Sequence, residues 1–237
     1  MKPFIIPVET QVREFDAKLL LACVAAERGI PAYIGFQNRI RDRINTLPAG
    51  IYLAKSLSLR KTRIMRILDR LGHDIYAWDE EGLVHQPPYV YYDRRMSKQS
   101  LTFLSGLFAW GQDYKEMVEN SPDYDGTPIF STGNPRVDLL HPKARSFFDN
   151  EVAAIRNRFG QFVLLNSSFG TSNTAAINPA DKPPNAAAMR KSDIFWKAQA
   201  VFRQELFSLY QKMCLKLAEN FPNRVFIVRP HPAENLE

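Results

Sequence analysis

The stretch RKTRIMRILDRLGHDIYAWDEEG, from Arg60 to Gly82, decides the fold. Arg60 to Leu71 reads as a helix, and Gly72 closes it, as a glycine after the last periodic residue commonly does. Ile75 to Trp78 then reads as a short buried strand. Asp79-Glu80-Glu81-Gly82 follows at its exit. Helix, glycine stop, apolar strand and polar exit make one step of an α/β alternation.

The flanks repeat that step. Phe4 to Val8 is an apolar run ending in Glu9-Thr10. A helical pattern follows, with Val12, Phe15, Leu19, Ala22, Cys23 and Ala26 at steps of three and four, and Gly29 stops it. Strands are expected at Pro31 to Phe36 and, after the turn Pro48-Ala49-Gly50, at Ile51 to Leu53. Two more are expected at Leu107 to Trp110 and Pro128 to Ser131, with a helix from Gln112 to Glu119 between them. Such alternation predicts an α/β fold, a doubly wound parallel sheet with helices on both faces.

Ala144 to Phe159 reads as a connecting helix, and a second unit opens with Phe162 to Asn166. A loop of small and polar residues runs from Gly170 to about Ser192 and contains Pro179, Pro183 and Pro184; loops this long are usually functional or disordered. Asp193 is expected to cap a long amphipathic helix ending near Asn220, followed by a strand at Val225 to Val228. The expected domains are therefore 1–143 and 144–237, each Rossmann-like and facing the other across a cleft. Two strands are too few for a stable doubly wound sheet, so the second domain is expected to be truncated and the chain to be a fragment.

Composition narrows the function classes. Of 237 residues, 45% are hydrophobic and 24% charged, which is globular rather than disordered. The longest apolar run, Leu19 to Ala26, is too short to span a bilayer. Lys2-Pro3-Phe4-Ile5-Ile6-Pro7 leads into acidic residues without a leader pattern, so the expected location is the cytoplasm, with peripheral contact at the inner membrane. The net charge is +6. Its basic residues concentrate in Arg39-Ile40-Arg41-Asp42-Arg43 and in Arg60-Lys61-Thr62-Arg63-Ile64-Met65-Arg66. These read either as solvated helix faces or as attraction to an anionic membrane or an anionic acceptor glycan. They are not interleaved with aromatics, and no nucleic-acid motif appears, so nucleic acid is not an expected partner. Cys23 and Cys214 fall on apolar helix faces and are expected to be buried free thiols. With no CxxC or HExxH spacing, neither metal nor cofactor is expected.

Three polar motifs sit at strand exits, where open α/β sheets bind ligands, and together they point to an anionic, phosphate-bearing substrate. Asp79-Glu80-Glu81-Gly82 sets three carboxylates in a row; their repulsion should raise at least one pKa, which suits acid/base work. The other reading is an acidic turn. In Thr132-Gly133-Asn134-Pro135-Arg136-Val137-Asp138, Gly133 and Asn134 tolerate positive φ in a tight turn. Arg136 could grip phosphate bidentately, with Asn134 beside it, or could pair with Asp138 to brace a domain junction. In Arg229-Pro230-His231-Pro232, two prolines hold His231 rigidly for phosphate binding, and Glu234 could orient it or bind a ribose. Asn166-Ser167-Ser168 could bind phosphate through amides and hydroxyls, or be a plain loop.

Taken jointly, these motifs resemble the bacterial surface carbohydrate biosynthesis proteins, a group of GT-B-like glycosyltransferases. The residues carrying the resemblance begin with Ile6-Pro7-Val8-Glu9-Thr10, Arg13-Glu14, Asp79-Glu80-Glu81-Gly82 and Ala109-Trp110-Gly111. They continue with Thr132 to Leu140 and Arg229-Pro230-His231-Pro232-Ala233-Glu234-Asn235. The acidic-acidic-Gly and His-Pro pair also resembles the motifs of sialyltransferases and Kdo transferases. That resemblance implies a GT-B-like pair of domains and a CMP-sugar donor, such as CMP-Kdo or a CMP-nonulosonate. It implies a glycan or glycolipid acceptor of capsule, O-antigen or lipopolysaccharide type. Glu80, with Glu81 beside it, is then the catalytic carboxylate. Asp138 is either a nucleophile or an Arg136 partner. Arg229, His231, Pro232 and Glu234, with Asn166, Ser167 and Ser168, would hold the donor. CDP-polyol phosphotransfer of the teichoic-acid type and non-catalytic glycan assembly are the competing readings.

Overall fold

The computed structural model describes residues 1–83, 87–170, 173, 191–231 and 234–235, with the side chains of 191–193 left aside. The chain divides into two compact units, Met1–Ser146 and Phe147–Glu237.

The first unit is a Rossmann-like α/β layer structure. Its strands are β1 (Phe4–Val8), β2 (Ala32–Phe36), β3 (Ile51–Ala54), β4 (Asp74–Ala77), β5 (Gly106–Ala109) and β6 (Ile129–Ser131). They form one sheet in the order β2-β1-β3-β4-β5-β6, and every pairing is parallel. Its helices are α1 (Gln11–Glu27), α2 (Gln37–Asp42), α3 (Thr62–Arg70), α4 (Pro88–Arg95), α5 (Lys98–Leu101), α6 (Gln112–Glu119) and α7 (Pro135–Asp138).

Alternation along the strands builds a core on each face. Ile5, Tyr52, Ala54, Ile75, Ala77, Leu107 and Ala109 point to one side, against Ile40 of α2, Met65 and Leu68 of α3, Leu101 of α5 and Val118 of α6. Ile6 and Leu53 point to the other, against Leu21 and Ala22 of α1, with Tyr76 and Phe108 beside them. Further along that second face Tyr76, Phe108 and Phe130 form an aromatic row, with centroids 5.4 Å and 6.1 Å apart. Gly29 and Gly72 end their helices with φ of 73° and 77°, in the left-handed region that glycine enters without strain.

The expected apolar stripe of α1 is corrected. Val12 is 88% exposed, and Cys23 and Ala26 are exposed too. The buried face is Glu14, Ala17, Ala22 and Ala25. Helical spacing from Glu14 sets it, because that carboxylate must face the strand ends. The thiols are free, but Cys23 is exposed and Cys214 half-buried, so neither is the buried group expected.

The second unit contains α8 (Asp149–Phe159), β7 (Phe162–Asn166), α9 (Lys191–Asn220) and β8 (Val225–Arg229). The strands pair in parallel, bringing Asn166 opposite Arg229. Residues 145–148 form a separate 3-10 turn, so the connecting helix starts later than expected. Asp193 lies inside the first turn of α9 rather than capping it. Most of the loop expected between 170 and 192 falls outside the described residues. Among the described residues, no helix is long and apolar enough to cross a membrane.

Candidate functional site

In the first sheet, β1 connects outward to β2 while β3 lies on the opposite flank of β1. The chain therefore reverses direction between β1 and β3, and the crevice beyond their carboxyl ends is where such sheets bind ligands. The residues that leave those two strands are Glu9 and Lys55, and they form an ion pair.

That pair is the rim of a larger cluster. The Lys55 ammonium also lies 2.7 Å from Glu14 Oε1, closing a contact across forty-one residues. Glu14 is fully buried. Its Oε2 accepts from the Glu9 amide at 3.0 Å and from Lys18 Nζ at 2.9 Å. Burial alone would push the Glu14 carboxyl up. The Glu9 amide, then Lys55 and Lys18, outweigh burial and bring its pKa from 4.5 down to about 2. Lys18 spends its remaining donors on Pro7 O, at 2.7 Å, and on Glu80 Oε1, at 3.0 Å.

Glu80 is the exit residue of β4 that faces this crevice, and it is 8% exposed. Its Oε2 has the Arg136 guanidinium at 4.0 Å, while Arg136 Nη1 donates to the Glu80 carbonyl at 3.3 Å. Glu14, Lys18, Lys55, Glu80, Asn134 and Arg136 line a cavity of about 20 Å³. This is room for a hydroxyl or a water, not for a sugar ring.

The three carboxylates of the acidic motif do not share one environment. Asp79 is fully buried. It is paired with Arg95 Nη2 and accepts from the Tyr91 hydroxyl at 2.8 Å. The Tyr91 and Tyr114 hydroxyls are 2.5 Å apart. Tyr91 has one hydrogen and gives it to Asp79, so Tyr114 donates to Tyr91. Burial, with Tyr114 and Asp79 beside it, drives the Tyr91 pKa far up and keeps it a donor. Glu81 is turned outward to Arg95 Nη1, at 2.8 Å. Asp79 and Glu81 share the Arg95 guanidinium, while Glu80 faces Lys18 and Arg136, so none of the three is left without a cation. Of the two candidates, Glu80 lines the crevice and Glu81 does not.

The Gly133-Asn134 turn also differs from expectation. Gly133 has φ 76°. Asn134 is extended and caps α7, its side chain accepting the Arg136 amide at 3.0 Å. The cap fixes where Arg136 starts. Its guanidinium lies over the Trp110 ring at 5.8 Å, and Trp110 Nε1 donates to the Asp79 carbonyl. Arg136 thus pairs with Glu80 and not with Asp138, correcting that alternative. Asp138 is exposed at the end of α7.

In the second unit the ends of β7 and β8 bring most of the expected donor residues together. Glu234 accepts from the Ser167 hydroxyl at 2.8 Å, the Phe169 amide at 2.8 Å and the His231 amide at 3.0 Å. Burial would raise its pKa; the Phe169 and His231 amides and the Ser167 hydroxyl prevail and lower it. Glu234 therefore orients the backbone of His231. Ser167 N–H donates to the Arg229 carbonyl at 3.1 Å. Asn166, Ser168 and Arg229 are exposed there. Pro232 lies outside the described residues.

Lys18 and Lys55 are the functional residues that sequence reasoning missed. Among the described residues, no group of three His, Cys, Asp or Glu side chains is gathered to hold a metal. No family model, no curated protein and no solved structure matches the chain.

Proposed function

We propose that this chain carries the catalytic carboxylate of a GT-B-like glycosyltransferase of bacterial surface polysaccharide biosynthesis. The observation that carries the reading is Glu80. It is an almost buried carboxylate at a strand exit beside the switch point. One oxygen is held by Lys18, and the other has Arg136 at 4.0 Å.

The chemistry follows from that arrangement. A carboxylate held between two cations is positioned to accept a proton from an acceptor hydroxyl as that oxygen attacks the donor sugar. The cavity admits only a hydroxyl-sized group, which restricts the base to the attacking oxygen. Arg136 is placed to offset negative charge growing on that oxygen. The motif resemblance supplies the donor class, a CMP-activated sugar such as Kdo or a nonulosonate. Arg229, His231 and Ser167 supply its phosphate contacts under that reading.

Calorimetry of the full chain with CMP, CDP and UDP tests the donor class, with CMP expected to bind most tightly. Turnover of CMP-Kdo onto a glycan acceptor tests the base. Glu80→Gln should abolish turnover while leaving CMP affinity unchanged; a fully active Glu80→Gln enzyme ends the reading.

A further inference from the structure

The two basic runs that the site leaves unused meet in space. Arg41 of α2 and Lys61 at the start of α3 line one small cavity together with Gln37, Tyr52, Lys55 and Ser56. The remaining basic residues of those runs, Arg39, Arg43, Arg60, Arg63 and Arg66, are exposed. Only two of seven cations in the runs are therefore turned inward, and both turn toward the same point.

Those two cations have no carboxylate of their own. Among the described residues no ion pair is made by Arg41, Arg60 or Lys61, and the nearby Lys55 is engaged by Glu9 and Glu14. Arg41 Nε is buried and has no hydrogen-bond partner among the described residues. Tyr52, which is 3% exposed, lines the same cavity as Arg41. Burial, then the like charge of Arg41, holds the Lys61 ammonium below its ordinary pKa, with Lys55 and Arg60 adding to that and Glu9 opposing it. Uncompensated positive charge held half out of water, around an orphaned donor, is relieved by an anion.

We infer that Arg41 and Lys61, with Lys55 and Ser56 beside them, form a phosphate-binding site next to the Glu80 cavity, with Lys55 lining both. The void measures about 10 Å³, the room of one oxygen atom. One phosphoryl oxygen enters to meet Arg41 Nε. The rest of the group stays at the mouth, against the Lys61 ammonium and within reach of Arg60. A guanidinium fork and a point-charge ammonium are the usual complement of a phosphate. The site does not depend on the glycosyl-transfer reading, because it uses neither Glu80 nor the strand ends of the second unit.

The test is a titration of the full chain with inorganic phosphate, followed by NMR of the Arg Nε–H and Lys Nζ groups. Saturable shifts centred on Arg41 and Lys61 are expected. Lys61→Gln and, independently, Arg41→Gln should each weaken binding by about tenfold, the loss of one charge-assisted hydrogen bond. Arg63→Gln, on the exposed side of α3, should change nothing. Absence of saturation overturns the site, and so does an Arg63→Gln effect equal to that of Lys61→Gln. Two further arms separate the sources of the phosphoryl group. Glycerol 3-phosphate binding that Lys61→Gln weakens assigns the site to a soluble phosphomonoester. Lys61-dependent sedimentation with phosphatidylglycerol vesicles, and not with phosphatidylcholine vesicles, assigns it to a lipid headgroup. Vesicle binding without saturable phosphate binding describes a diffuse basic surface and overturns the pocket.

Discussion

Lys18 ties Glu80 to the first helix, its ammonium lying 3.0 Å from Glu80 Oε1. The same ammonium serves Glu14 and the carbonyl of Pro7. One lysine thereby joins β1, α1 and the exit of β4. Lys18→Met leaves two carboxylates facing each other with one cation fewer. A broken buried ion pair costs about 3 kcal/mol or more. Urea denaturation should show that loss, and Glu14→Gln added to Lys18→Met should restore part of it. A Lys18→Met protein as stable as the parent would show that the cluster contributes nothing to the fold.

The Glu14 carboxyl predicts an acid limb of stability. Its folded pKa is about 2 against an ordinary 4.5, so the group binds its proton more weakly when folded. The stability it supplies is present above pH 4.5 and is lost as pH falls toward 2. The linkage is on the order of 3 kcal/mol. Glu14→Gln should flatten the stability profile across that window. A profile of unchanged steepness would place the acid sensitivity elsewhere.

Gly82 has no room for a methyl group. A Cβ there would overlap the Trp110 indole, with Nε1 at 2.7 Å. Gly82→Ala is expected to displace Trp110 from the Asp79 carbonyl and so move the ring beneath Arg136. Turnover should fall more than thermal stability does. Normal activity in Gly82→Ala would mean that Trp110 does not position Arg136.

Asn134 and Asp138 separate cap from carboxylate. Asn134→Ala removes the α7 cap and should cost about 1 kcal/mol, whereas Asn134→Asp should keep it. Asp138→Asn touches an exposed group and should alter stability by less than about 0.5 kcal/mol. Turnover should survive in Asp138→Asn; a sugar adduct trapped on Asp138 by intact mass spectrometry would reverse that expectation.

Strand positions were legible because each is a short apolar run closed by a polar exit, and the helix ends because Gly29 and Gly72 must take positive φ. Glu80 was legible from the acidic motif itself. Lys18 and Lys55 were not. A single lysine on a helix, or one residue past a strand, looks like any solvated charge. Its role arises only when the crossover brings β3 beside β1. The apolar stripe of α1 misled for a related reason: a buried Glu14 carries no hydrophobic signal, yet it fixes which side of the helix faces the sheet. The Arg136–Asp138 pairing failed because proximity in sequence is not direction, and the Asn134 cap sends Arg136 toward Glu80.

The chain has three tryptophans, and two of them border the Glu80 crevice. Trp78 lines the cavity and packs on Phe108 at 5.2 Å, with its indole N–H buried and unbonded among the described residues. Trp110 lies under a guanidinium. The two rings therefore sit in different settings, one packed on Phe108 beside the Glu80 cavity, one beneath a guanidinium. Replacing Trp196 of α9 by phenylalanine would leave an emission spectrum that belongs to the crevice alone, so its occupancy could be followed by light without a label.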